Sequence, residues 1–193
     1  MREQDNELRL EGIVHAFHYD PNELGKEFLG AEIDCGNGKT WVITYNEQSP
    51  YHAFAGRQVV VSGEPYEPKG QYLLGRAHFS VSTMQLSEVT PAAEFVEVGE
   101  QQDLCGRFER GTSEIGESRL SFVTEEGVAF LVANDPAGAT IGSRVEVCAY
   151  PVQPSPLGRR PLGRYLWIIC PHSADDIWEW RKRHLRVAAE PDA

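Results

Sequence analysis

Few residues of this chain are candidates for metal binding or nucleophilic catalysis, and their spacing in the sequence does not suit either function. His15 and His18 are candidate metal ligands, but their odd spacing on a strand sends the two side chains to opposite faces, so they cannot bind one ion without a bulge. Cys170 and His172 are a candidate nucleophile and base, but residues this close in sequence rarely orient correctly, and no third group is in sight to orient the base. A buried cysteine at the end of a strand is the simpler interpretation of Cys170.

Sequence motifs for phosphate binding and hydrolysis are also missing. Gly36 and Gly38 are not followed by Lys-Ser/Thr, nor by a helix that could hold a phosphate at its N-terminus. The chain has neither a Gly-x-Ser-x-Gly turn nor a His-Glu-x-x-His helix. We therefore predict that the protein is not an enzyme and has no catalytic residue, no metal site and no cofactor.

A candidate binding surface lies in the C-terminal part of the chain, where cationic and aromatic residues accumulate. The formal net charge is -11, yet residues 151–186 carry seven basic and only three acidic side chains. A polyanion would be repelled by most of the surface and attracted only here. The predicted binding residues are Arg159, Arg160, Arg164, Tyr165, Trp167, Trp180, Arg181, Lys182, Arg183 and Arg186.

The elements that must position these residues are organised around a stretch that occurs twice. Gly-x-x-Val-x-Val begins at Gly56 and again at Gly142. A turn glycine that leads into an alternating run predicts a half-buried strand, with the two valines of each copy on the inward face. These inward residues are Val59 and Val61 in the first copy and Val145 and Val147 in the second.

Five strands are predicted around the first copy. They span about 8–19, 27–35, 39–46, 59–65 and 71–86, and the last is expected to bend near Gly75. Asn37-Gly38 between the second and third strands is a strong hairpin signal. Ser49-Pro50 predicts one helical turn over 49–54, because a capping residue precedes proline at the first helical position.

The second half of the chain follows the same order with a period of 86 to 94 residues. Leu104, Gly106 and Phe108 take the places of Leu10, Gly12 and Val14. Phe130 and Val132 replace Trp41 and Ile43, Asp135-Pro136 repeats the cap-plus-proline signal, and 163–166 matches 70–73. We predict a first repeat at 8–87, a linker at 88–101 and a second repeat at 102–171.

The two ends of the chain complete this prediction. Ser173 with Asp175 and Asp176 is a capping signature, and basic residues further on complement the dipole of a helix predicted for 172–187. Residues 1–7 and 188–193 are predicted to be disordered tails.

The pattern of five strands, a hairpin between strands two and three, and a helical turn between strands three and four resembles the OB-fold, the five-stranded Greek-key barrel. The resemblance is carried by residues 10–14, 38–43 and 56–61 and by their partners in the second repeat. It implies an all-β protein made of two tandem five-stranded OB-like barrels with a C-terminal α-helix.

The resemblance also implies where a ligand would bind. OB-like barrels hold single strands on the outer face of strands two and three, with loops one-two and four-five at its edges. In the first repeat this region contains Phe17, Tyr19 and Phe28, but its carboxylates outnumber Lys26, Lys39 and Lys69. The charges therefore argue against nucleic-acid binding there.

Two functions remain for the chain. We predict a non-catalytic binding module that engages a protein partner, because Arg and Trp are favoured anchors of interfaces. The alternative is single-stranded nucleic-acid binding, through the second barrel and the C-terminal basic patch only. A solvated loop and a helix end with dipole-complementing charges would explain the same residues without either function.

The chain is also predicted to be cytoplasmic and free of membrane contact. Its first residues lack the charged-then-apolar pattern of a signal peptide, and no apolar run approaches the ~20 residues that a membrane span needs.

Overall fold

A computed structural model describes residues 7–19, 28–36, 38–67, 76–112, 118–136, 138–161 and 163–173. These residues form an all-β structure, as predicted. The strands are β1 (Leu8–Tyr19), β2 (Phe28–Asp34), β3 (Thr40–Thr44), β4 (Gln58–Tyr66), β5 (Ala77–Leu86), β6 (Phe95–Val98), β7 (Gln102–Thr112), β8 (Ser118–Thr124), β9 (Ala129–Val132), β10 (Arg144–Pro154) and β11 (Tyr165–Ser173). Within the described ranges no helix is long and apolar enough to cross a membrane.

The chain divides into two compact units. Unit 1 comprises Met1–Gln101 and Tyr150–Leu162, and unit 2 comprises Gln102–Ala149 and Gly163–Ala193. Strand β10 therefore contributes its first part to unit 2 and its last part to unit 1. The strand β6 lies within the predicted linker and pairs with β5 and with the last part of β10.

In unit 1, each of the strands β1 to β5 pairs with two others of this set. Strand β1 pairs antiparallel with β2 and β4, β2 pairs antiparallel with β3, and β4 pairs antiparallel with β5. Strands β3 and β5 are parallel. The pairing order β1-β2-β3-β5-β4 thus returns to β1.

Unit 2 repeats this order with its own five strands. Strand β7 pairs antiparallel with β8 and β10, and β8 pairs antiparallel with β9. Strands β9 and β11 are parallel, and β11 also pairs with β10. Hydrogen-bonded ladders connect all eleven described strands in one large sheet.

The Gly-x-x-Val-x-Val copies occupy the same register in the two units. Gly12 lies opposite Val59, and Gly106 lies opposite Val145. The glycine that opens each copy adopts a left-handed φ, 75° at Gly56 and 80° at Gly142, a conformation that glycine adopts at low cost. The amide of each donates a hydrogen bond of 2.8 Å, from Gly56 to the carbonyl of Val14 and from Gly142 to that of Phe108.

The core of each unit is built on the valines of these copies. Val59 and Val61 are fully buried, and Val145 and Val147 are 5% and 1% exposed, so their predicted inward orientation is confirmed. Burial of each such side chain contributes about 1.5–3 kcal/mol. The buried residues that pack in the core include Val14, Ile33, Phe79 and Val81 in unit 1 and Phe108, Phe122, Leu166 and Ile168 in unit 2.

The predicted helical turn after β3 is confirmed as a 3-10 helix, Pro50–Phe54. The Ser49 hydroxyl accepts a hydrogen bond from the amide of Tyr51 at 3.4 Å, and Tyr51 and Phe54 are buried. In unit 2, Asp135-Pro136 begins only a turn, in which the Ala139 amide donates to the Pro136 carbonyl at 3.4 Å.

The C-terminal prediction differs from the structure at its first residues. Strand β11 continues to Ser173, so residues 172 and 173 end a strand and do not begin a helix. The remainder of the predicted helix, both predicted tails apart from residue 7, and the predicted bend at Gly75 lie outside the described residues.

Strand pairing gives Tyr165 and His78 equivalent positions in the two units. Tyr165 of β11 pairs with Leu131 of β9, and His78 of β5 pairs with Val42 of β3.

We expect Gly106→Ala to lower the free energy of unfolding by about 1–3 kcal/mol, because the added Cβ would lie 2.2 Å from the carbonyl oxygen of Val123. Gly111→Ala, on the same strand, is the matched control. No atom of the described residues lies within 4 Å of a Cβ there, so we expect a change below about 0.5 kcal/mol. Urea denaturation followed by tryptophan fluorescence measures both. Equal effects of the two substitutions would contradict the close approach of β7 and β8.

Candidate binding face of the first unit

Aromatic side chains from β1, from β4 and from the residue that follows β3 meet around His78 of β5. The Tyr45 hydroxyl and His78 Nε2 share a hydrogen bond of 2.6 Å, and the two ring centroids are 5.5 Å apart. Tyr66 packs against His78 at 5.6 Å, and Phe17 packs edge-on against Tyr45 at 6.1 Å. We call Phe17, Tyr45, Tyr66 and His78 the aromatic cluster.

Irregularities in the sheet position this cluster. The β2–β3 register shifts between Ala31 and Glu32, which leaves Ile43 as an extra residue and bends the end of β3 just before Tyr45. At Gly30 an added Cβ would lie 2.6 Å from Cζ of Phe17. The missing side chain at Gly30 therefore makes room for the Phe17 ring.

Arg76 and Glu32 form an ion pair at the edge of the cluster. The Arg76 guanidinium lies 4.9 Å from the Phe17 ring centroid and forms an ion pair with Glu32. A cation over an aromatic face is attracted by the ring quadrupole. Arg76 thus fixes the outer side of Phe17, while its charge is offset by Glu32.

His78 is the buried centre of the cluster. It is 2% exposed, and its second ring nitrogen, Nδ1, is buried without a hydrogen-bond partner among the described residues. Since buried polar atoms usually have partners, this nitrogen is an exception. The imidazole depends on Tyr45 for the hydrogen bond at Nε2.

Three cavities adjoin the cluster, and Tyr66 lines all of them. One, of about 390 Å³, includes Trp41, Arg76 and His78 in its lining. A second, of about 640 Å³, includes Tyr45 and Glu47. The third, of about 400 Å³, is called the tyrosine cavity here. Its lining is Ile43, Tyr51, Glu64, Tyr66, Phe79, Ser80, Val81, Glu100, Gln101 and Tyr150.

The polar side chains of the tyrosine cavity are partly organised by hydrogen bonds. The Tyr150 hydroxyl donates to Oε1 of Gln101 at 2.9 Å, and the Tyr51 and Tyr150 rings pack edge-to-face at 5.5 Å. Burial raises the pKa of Tyr51 well above its usual value, and Tyr150 and Glu100 raise it further. Burial also raises the pKa of Tyr66. Both phenols therefore stay neutral at physiological pH.

The charge around the three cavities is negative. Glu47, Glu64, Glu67 and Glu100 line them, whereas Arg76 is the one cation among the described lining residues. Because Arg76 already pairs with Glu32, the face as a whole carries excess negative charge.

The structure distributes the predicted C-terminal binding residues between the two units. Arg159 and Arg160 belong to unit 1, where Arg160 forms an ion pair with Glu94 and lies 4.9 Å from the Phe95 ring centroid. Arg164, Tyr165 and Trp167 belong to unit 2, and Tyr165 is only 4% exposed. Trp180, Arg181, Lys182, Arg183 and Arg186 lie outside the described residues.

The candidate metal ligands whose side chains are described are His15 and His18. Among the residues that the structure describes, no group of three or more His, Cys, Asp or Glu side chains could hold a metal ion. His15 and His18 are both exposed on β1, opposite Glu32 and Leu29. The side chains of Cys170 and His172 lie outside the described part.

Sequence reasoning found Phe17 and missed Tyr45, Tyr66, His78 and Tyr150. Tyr45, Tyr66 and His78 lie at or beside the ends of strands, and Tyr150 lies in the middle of β10, and none of them belongs to a sequence motif. The Tyr45–His78 hydrogen bond joins residues 33 positions apart, so no local pattern indicates it.

Comparisons of the chain with protein-family models, with curated proteins and with solved structures found no match.

We expect Tyr45→Phe to lower the free energy of unfolding by about 1–3 kcal/mol, because it removes the hydrogen bond to Nε2 of the buried His78. Tyr66→Phe is the matched control, since it removes a hydroxyl from a ring that is 42% exposed, and we expect a change below about 0.5 kcal/mol. Equilibrium unfolding in urea gives both values. A loss at Tyr45 no larger than that at Tyr66 would contradict the role of this hydrogen bond.

Proposed function

We propose that the chain is a non-catalytic binding module made of two OB-like barrels in tandem, and that it engages a protein partner through the aromatic cluster and cavities of unit 1. The single observation that carries the proposal is the group of three adjoining cavities that share Tyr66.

The strand pairing supports the two barrels. In each unit the order of neighbours is first, second, third, fifth, fourth and back to first, with the third and fifth strands parallel. A five-stranded sheet whose ends pair in this way matches the OB arrangement. The shared register of Gly12 with Val59 and of Gly106 with Val145 supports a duplicated unit.

The position of the aromatic cluster supports a ligand face. OB-like barrels bind along strands two and three. Tyr45 directly follows β3, and Phe17 lies across Gly30 of β2. The cavities beside them, of about 390 to 640 Å³, are within the range of about 300–1,000 Å³ that is typical of binding pockets.

Charge favours a protein partner over a nucleic acid at this face. Phosphate groups would meet Glu47, Glu64, Glu67 and Glu100, and the chain as a whole carries a net charge of -11. Tyrosines, in contrast, are enriched in protein interfaces because one ring supplies both apolar area and a hydroxyl.

Single-stranded nucleic-acid binding through the second barrel and the C-terminal basic patch stays the alternative prediction. Arg160, one of its expected contacts, is already paired with Glu94. This pairing weakens the alternative only slightly, because the Glu94 side chain is 56% exposed and such surface ion pairs contribute only about 0–1 kcal/mol.

Photo-crosslinking in cell lysate tests the proposed function. We expect p-benzoylphenylalanine at position 66 to give adducts that protease removes and nuclease does not. The matched control is position 157 of the same unit, where Leu157 is exposed and lines none of the three cavities. Excess unlabelled wild-type chain should suppress the adducts at position 66, and excess Tyr66→Ala chain should not.

Two results would contradict the proposal. Equal adducts at positions 66 and 157 would mean that the face has no selective partner. Adducts at position 66 that nuclease removes would assign the face to a nucleic acid.

A further inference from the structure

The lining of the tyrosine cavity combines aromatic rings with carboxylates. Tyr51, Tyr66 and Tyr150 contribute three rings, and Glu64 and Glu100 contribute two carboxylates. No lysine, arginine or histidine is present among the described residues that line it. A site of this composition attracts a cation by two means, the ring quadrupoles and the negative charges.

The backbone holds two of these side chains in place. The β4–β5 register shifts between Ser62 and Gly63, and beyond the shift Glu64 pairs with Ser80 and Tyr66 pairs with His78. A Cβ at Gly63 would lie 1.9 Å from the Ser80 carbonyl oxygen, so the two strands are in close backbone contact here. Glu64 and Tyr66 therefore extend from a rigid ladder and not from a loop.

Packing and a hydrogen bond also hold Tyr51 and Tyr150 in place in the lining of the cavity. Tyr51 belongs to the 3-10 helix and is 3% exposed, and its ring packs against Tyr150, whose hydroxyl is bonded to Gln101. Glu100 lies close enough to raise the pKa of the Tyr51 phenol, which is consistent with a negative potential inside the cavity.

We propose that the tyrosine cavity receives the cationic side chain of an arginine or lysine from the protein partner. This inference rests on the proposed function and names the chemistry by which the partner is recognised. The aliphatic stem of such a side chain would pack on Tyr66 and Tyr150, while its charged group would be balanced by Glu64 and Glu100. The volume of about 400 Å³ is sufficient for one such side chain.

Other occupants fit the cavity less well. A phosphate or carboxylate group would be repelled by Glu64 and Glu100, with no described cation in the lining to offset them. A purely apolar side chain would remove water from both carboxylates without pairing them. Charge complementarity therefore selects a basic segment of a partner protein.

A titration of the full chain with short peptides tests this inference. The probes are heptapeptides, Gly-Ser-Gly-X-Gly-Ser-Gly with blocked ends, in which X is arginine, lysine, citrulline or norleucine. Citrulline has the shape of arginine without its charge. Ring signals of 13C-labelled tyrosine report binding at Tyr51, Tyr66 and Tyr150.

We expect the arginine and lysine peptides to shift these ring signals saturably, with a dissociation constant at least fivefold lower than that of the citrulline or norleucine peptide. The double variant Glu64→Gln/Glu100→Gln should raise the dissociation constant of the arginine peptide at least fivefold. Glu88→Gln is the control for loss of a single such charge outside the cavity, since Glu88 is exposed and lines none of the three cavities. We expect this control to bind like the wild type.

The outcomes separate this inference from the proposed function. Citrulline binding as tight as arginine binding, or unchanged binding by the double variant, would overturn the cation site. If no peptide shifts a ring signal while position 66 still gives protein adducts, the cation site is wrong and the protein-binding function stands. If position 66 gives no selective adducts either, both proposals fail.

Discussion

The fold depends on a close contact between two backbones in each unit. A Cβ at Gly12 would lie 2.4 Å from the carbonyl oxygen of Asp34, and one at Gly106 would lie 2.2 Å from that of Val123. Both glycines also pair across their other edge with the first valine of a Gly-x-x-Val-x-Val copy. A side chain at either position would therefore disturb the strand that connects both neighbours. This constraint explains why glycine is required within a strand, where it is otherwise unfavourable.

The two units share this core but differ on the outside. In unit 1 the ladder position next to Val42 holds His78, which is covered by Tyr45 and Tyr66 and adjoins a cavity. The corresponding position in unit 2 holds Tyr165, which is 4% exposed and so is buried to nearly the same extent as His78. Inward-facing residues are fixed by packing, whereas outward-facing residues can change without loss of the core. The proposed binding face is placed in unit 1 because Tyr45, Tyr66 and His78 meet there beside a cavity.

Features that depend on neighbours in sequence were predictable. The strand that follows Gly56, the turn at Gly36 and Gly38, and the helical turn at Ser49-Pro50 each arise from local backbone preferences. The structure has all three in place, and the glycines have positive φ angles of 74–78°. Alternation of apolar residues was sufficient to predict which valines face the core.

Features that depend on distant residues were not predictable in the same way. Three such features are the bulge in β3, the parallel pairing of β3 with β5 and the contact between Tyr51 and Tyr150. Each depends on segments that are distant in sequence, and local patterns carry no information about their contact. Composition drew attention to the arginines near the C-terminus, but it could not indicate that Arg160 pairs with Glu94, 66 positions earlier. The aromatic cluster exists only because tertiary structure brings its members together.

The most direct test of this account is the detection of hydrogen bonds by long-range HNCO spectroscopy, in which an amide nitrogen couples to the carbonyl that accepts its proton. If the two units share one architecture, one correlation joins the Gly56 amide to the Val14 carbonyl and a second joins the Gly142 amide to the Phe108 carbonyl. Both are expected because the two units are built around the same contact. Correlation of either amide with a different carbonyl would contradict the shared architecture on which the binding face depends.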